Sequence, residues 1–146
     1  MRLNQSKVIP NVARVLIGIV TFLNLQAAAT FLFNPADYAP AFELNGAPGV
    51  AMVRGVGLLF IMWNIPYLVA LINPIRHFVS FVEAVIMQAI GVLGESTILW
   101  SLQGDHPQIH ASVARFIIFD GAGLILLLAG LILVIRCKRS VQHDPI

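Results

Sequence analysis

The chain has 146 residues, of which 58% are hydrophobic and 11% charged, with a formal net charge of +2 and a mean hydropathy of +0.86. Soluble domains carry about a quarter charged residues, so this composition excludes an ordinary water-soluble domain and makes a bilayer the solvent for most of the surface. No nucleic-acid partner is expected, because the nine Lys and Arg are scattered singly except for Arg136, Lys138 and Arg139, which read as a membrane-flanking anchor.

A crossing helix needs about 20 mainly apolar residues, and four windows meet that length. The first covers residues 11–33, opened by Pro10 and closed by Asn34-Pro35. It is longer than the core of a secretory signal and contains Arg14, so no cleavage is expected at Ala27-Ala28-Ala29. The second, 50–73, follows Gly46-Ala47-Pro48-Gly49 and ends at Asn73-Pro74; Pro66 inside it frees the carbonyl of Met62. The third is 78–101. The fourth, 111–135, follows Gly104-Asp105-His106-Pro107, with Asp105 as the candidate N-cap. Open backbone is not tolerated against lipid, and the breakers fall mainly between windows. The expected fold is therefore all-α: an integral membrane four-helix bundle in a single domain, 1–146.

Basic residues outside the windows are Arg2, Lys7, Arg76, Arg136, Lys138 and Arg139, all at the termini or in the second loop. The first loop (34–49) and the third (103–110) have none and carry Asp37, Glu43 and Asp105. The positive-inside bias then predicts cytoplasmic N- and C-termini, in a bacterial inner membrane.

Six charged residues lie inside the windows, and each costs roughly 2.5–3.5 kcal/mol at mid-membrane against about 0.3–0.6 returned by an apolar residue. They are expected to face protein. Depth pairs Arg14 with Glu83 near the cytoplasmic side, a structural ion pair, and groups Arg54, Arg115 and Glu95 toward the outer side, with Asp120 nearer the midplane. In the third window Ala84, Gln88, Gly91 and Glu95 follow the i, i+4, i+7, i+11 spacing of one helix face, with small residues leaving room beside Gln88 and Glu95. The expected ligand pocket is therefore Arg54, Gln88, Glu95, Arg115 and Asp120, unless the charges serve only to fix helix register.

All four histidines lie outside the windows, and Cys137 is the single cysteine. Paired axial histidines and thiolate clusters are thus missing, as are phosphate loops, GxSxG and HExxH motifs, and no catalytic residue or resident cofactor is expected. His106 and His110 stand four apart beside Asp105, a spacing open to a metal but short of ligands, so no metal site is expected either. Cys137, beside a helix end, is open to palmitoylation or redox sensing, or is an unremarkable cytoplasmic thiol.

Arg54-Gly55-Val56-Gly57, Glu95 and Arg115 followed by Asp120-Gly121 resemble the DoxX-like small four-helix membrane proteins. That group includes subunits of sulfur-compound:quinone oxidoreductases and accessory proteins of other membrane assemblies, so the resemblance implies the fold more than a reaction. The expected function is a small non-catalytic membrane protein, either an accessory subunit or a binder of an amphipathic ligand, lipid or quinone. The alternatives are a quinone-linked oxidoreductase subunit and a proton-coupled transporter using a buried carboxylate. Expected partners are membrane lipid and other membrane subunits or a second copy.

Overall fold

The computed structural model describes the backbone of residues 2–102 and 104–142, and the side chains of residues 8–102 and 104–140. Helix α1 is Arg2–Phe33, followed by a short α2, Pro35–Tyr38, and a 3-10 turn, Ala39–Phe42. Helices α3 (Gly46–Trp63) and α4 (Ile65–Ile72) form the second span, α5 is Phe78–Ser101 and α6 is Pro107–Gln142. No strand is found among the described residues. Four stretches are long and apolar enough to cross a membrane: Val8–Phe33, Gly46–Ile72, Phe78–Ser101 and Pro107–Ser140. Only a minority of each is buried inside the protein. Most of the apolar surface therefore has no protein partner, as expected where lipid is the solvent.

Three boundaries differ from the sequence expectation. Pro10 lies inside α1 rather than opening it, since a proline removes one backbone bond and a carbonyl near a helix end can find water. Helix α6 begins at Pro107, so His106 and not Asp105 is the residue before it, and a proline at the first helical position has no donor to leave unpaired. The second span is broken at Asn64, whose backbone and side-chain N–H groups both donate to the carbonyl of Phe60, at 3.2 and 2.7 Å. Pro66, lacking its own N–H, falls in the first turn of α4, where it is tolerated.

The break decides the packing. Helix α1 packs against α3, α4 and α6, and α5 packs against α4 and α6. Helix α3 does not pack closely along α5 or α6, meeting α6 through Phe60 edge-on to Phe116 (centroids 6.5 Å), so the second span changes its main partner at Asn64 and leaves a gap between α3 and α5. Gly57 keeps α3 on α1: a β-carbon there would come 3.0 Å from the carbonyl oxygen of Ala28. Away from the gap, Ile17, Ala70, Phe81, Leu127 and Val134 form part of a closed core.

The connections after α1 and before α6 meet at the same end of the molecule. The Ser112 hydroxyl donates to the carbonyl of Ala41 at 2.6 Å, and Glu43 Oε2 lies 2.6 Å from His106 Nδ1. Glu43 ends the 3-10 turn in the left-handed region (φ 56°), a conformation uncommon outside glycine. Beneath it, buried Phe31 is ringed by Tyr38, Phe42, Phe60 and Phe116 at centroid distances of 5.1–6.2 Å.

Candidate functional site

A cavity of about 610 Å³ fills the gap left by α3, in the half of the spans nearer the Glu43 and His106 connections. Its apolar wall includes Phe42, Phe60, Trp63 and Phe116, part of the aromatic group that roofs this end. Trp63, Ile90 and Ile98 line it and remain exposed. These rim residues belong to apolar stretches rather than to connections, so the opening faces sideways, where lipid chains would lie.

The polar floor is a chain of hydrogen bonds across three helices. The Tyr67 hydroxyl of α4 donates to Gln88 Oε1 of α5 at 2.7 Å, and Gln88 Nε2 donates to Oδ1 and to the backbone carbonyl of Asp120 in α6, at 2.9 and 3.3 Å. Two glycines make the room. A β-carbon at Gly91 would collide with Asp120 Oδ2, and one at Gly123 would lie 2.9 Å from Gln88 Nε2. Glu95 stands one turn beyond Gly91 on the same face of α5, which sets its carboxyl near that of Asp120. Two buried polar atoms among the described residues have no partner, Glu95 Oε2 and Asn64 Oδ1, and both residues line the cavity.

Of the five residues expected in the pocket, Gln88, Glu95 and Asp120 are brought together, and Arg54 and Arg115 are not. Arg54 is exposed and lines no part of the cavity. Arg115 is also exposed and folds back along its own helix, donating to the carbonyl of Ala111 and to Ser112 Oγ, each at 3.2 Å. Depth matched, but direction did not: five residues of helix turn through about 500°, which puts Arg115 some 140° round from Asp120. The Arg14–Glu83 ion pair is likewise not formed. Arg14 Nε instead donates to the carbonyl of Leu71 at 3.0 Å, while Glu83 is exposed. Leu71 lies in the last turn of α4, whose carbonyls have no helical partner and carry the negative end of the helix dipole. That gives Arg14 a partner closer than Glu83.

Sequence reasoning placed Asn64 on one face of the second span with Gly57 but not in the pocket, and it missed Tyr67, which carries no charge in an apolar window. Tyr67 stands seven residues from Phe60 and three from Asn64, and a stripe search on α4 for Asn64 and Tyr67 would have found them. Among the described residues no three His, Cys, Asp or Glu side chains are gathered as a metal site. His106 is held by Glu43 instead, and this contact is the main reason that the Glu43 carboxyl titrates below its ordinary value, with help from the N–H groups of Ile109 and Gln108. Comparison with family models, with curated proteins and with solved structures returned no match.

Proposed function

We propose that the protein is a non-catalytic multi-pass membrane protein that takes a small amphipathic molecule from the bilayer into the cavity between α3 and α5. The observation that carries this reading is a sideways-opening apolar cavity with a hydrogen-bonded polar floor, a combination suited to a molecule with one polar end and an apolar body. In this reading both termini and the Arg76 connection are cytoplasmic, the membrane is a bacterial inner membrane, and the cavity belongs to the outer leaflet. The DoxX-like resemblance of Arg54-Gly55-Val56-Gly57, Glu95 and Arg115 followed by Asp120-Gly121 agrees with it, as does a role beside other membrane subunits or a second copy. Exposed Glu83 and Arg54, charged groups inside apolar stretches, favour such neighbours.

Gly94 provides the test, because it lines the cavity and a β-carbon there meets nothing within 4 Å. Gly94→Leu should obstruct the cavity beside Glu95 without disturbing the fold. Gently solubilised wild-type protein is expected to yield a small molecule on extraction and mass spectrometry that the variant lacks. Identical extracts from equal amounts of folded protein would overturn the ligand reading. Impermeant thiol labelling of Asp37→Cys but not Arg76→Cys in intact cells checks the orientation, and the reverse pattern would invert it.

A further inference from the structure

Hydrogen-bond direction within the cavity narrows what the head of the occupant can be. The Asn64 side chain is 2% exposed, and its Nδ2 faces the carbonyl of Phe60 at 2.7 Å. A backbone carbonyl can only accept, so the amide cannot be turned round and Oδ1 is the atom left without a partner. The same logic fixes Gln88. Its Nε2 must face the Asp120 carbonyl, which leaves Oε1 to accept from Tyr67.

The donors of the floor are thus engaged within the protein: the Tyr67 hydroxyl on Gln88, and the Gln88 amide on Asp120. Among the fully buried polar atoms of the lining, those that remain unpaired are acceptors, Asn64 Oδ1 and Glu95 Oε2, while the partly open Asn24 amide and Trp63 indole keep N–H groups. The lining holds two carboxyl groups, Glu95 and Asp120, and no Lys, Arg or His; its other polar side chains are neutral. A phosphate or carboxylate head would meet like charge with no counter-ion. A quinone carbonyl, itself an acceptor, would leave both buried orphan acceptors unpaired and could bond only to the Asn24 amide or the Trp63 indole. A cation with N–H groups is a suitable partner for either carboxyl and for the Asn64 oxygen, and the rings of Phe60 and Trp63, which also line the cavity, attract cations.

We propose that the cavity binds an amphiphile with a protonated amine head, the ammonium lying between Glu95, Asp120 and the Asn64 carbonyl and the apolar tail running out between α3 and α5. This rests on the ligand-binding reading, and the two can fail separately. The test uses the full chain carrying Trp100→Phe, so that Trp63 at the rim is the single tryptophan. It is placed in phosphatidylglycerol nanodiscs, whose lipid has no ammonium, and titrated with dodecylamine, dodecanol, dodecanoate and decylubiquinone. Dodecylamine is expected to change Trp63 emission saturably, and Gly94→Leu should abolish that change. Glu95→Gln and Asp120→Asn should each weaken dodecylamine by at least about tenfold while leaving dodecanol unaffected, as expected for loss of a charge-assisted contact. Should Asp120→Asn fail to fold, Glu95→Gln decides alone. Saturable binding of dodecanoate or decylubiquinone without dodecylamine would refute the cationic head and leave a ligand site standing. If no probe gives a signal that Gly94→Leu removes, both readings fall.

Discussion

Gly91 and Gly94 offer a contrast in which the same substitution, one turn apart on α5, should act with different sign. In either place glycine to alanine raises intrinsic helix stability by about 0.5–1 kcal/mol, a contribution common to both variants that cancels in their difference. At Gly94 the new methyl enters open space. At Gly91 it falls on Asp120 Oδ2, and the carboxylate can yield only by turning away from Gln88 Nε2, now 2.9 Å from its other oxygen. A buried amide donor left without that partner costs about 1–3 kcal/mol. Gly94→Ala should therefore be more stable than Gly91→Ala by about 1–3 kcal/mol, with wild type between them or level with Gly91→Ala at the lower limit. Reversible unfolding in mixed micelles of dodecyl maltoside and sodium dodecyl sulfate, followed by far-ultraviolet circular dichroism, measures the difference. Equal midpoints for the two variants would show that Asp120 is not held against Gly91, and the polar floor as described would be wrong.

Three further outcomes follow from other contacts. Tyr67→Phe leaves Gln88 Oε1 unpaired and should cost about 1–3 kcal/mol, whereas Tyr67→Phe with Gln88→Met should cost less than the sum of the single changes; additivity within about 0.5 kcal/mol in the same unfolding assay would show that the pair does not interact. Arg14→Ala and Glu83→Ala should add to within about 0.5 kcal/mol, since Arg14 is held by the carbonyl of Leu71, and a coupling well above that would restore the ion pair. Because Glu43 titrates below its ordinary value in the folded protein, the stability that it contributes is present above the carboxylate value of the unfolded chain and lost as pH falls through the lower folded value. Hydrogen-exchange protection at the 3-10 turn Ala39–Phe42, taken relative to the intrinsic rate at each pH, should thus fall only in that acidic range, and His106→Ala should move the onset upward; an unchanged onset would show that His106 does not set it.

The spans were legible because they depend on composition, which survives any arrangement of the helices. Gln88, Gly91 and Glu95 were legible for a related reason: a stripe on one helix needs only the helical repeat, and Asp120 joins it by depth. Arg54, Arg115, Arg14 and Glu83 were misplaced because depth is one coordinate and the direction around the helix axis is another, and the second depends on which neighbours each helix chooses. The break at Asn64 illustrates the limit. Pro66 announces a bend in any membrane helix, but that α3 follows α1 while α4 follows α5 is a property of packing, set by contacts such as Gly57 against Ala28 that pair residues far apart in sequence.

Asn64 joins the fold to the proposed site, since the residue that ends α3 also brings an unpaired oxygen to the cavity. An orphan acceptor in an apolar setting costs about 1–3 kcal/mol, whereas the Nδ2 bond to Phe60 returns about 0.5–1.5 kcal/mol, and the same carbonyl keeps its backbone bond if that amide is removed. Asn64→Leu, close in shape and without polar atoms, should therefore leave the ligand-free protein between about 0.5 kcal/mol less stable and about 2.5 kcal/mol more stable than wild type. An amine in the cavity removes the orphan, so saturating dodecylamine should stabilise wild type more than the variant. Parallel unfolding curves with and without dodecylamine measure both effects. A ligand-free Asn64→Leu protein that is clearly less stable than wild type would mean that Asn64 is held for the helix break alone, and equal stabilisation of both proteins by dodecylamine would remove its carbonyl from the head-binding site.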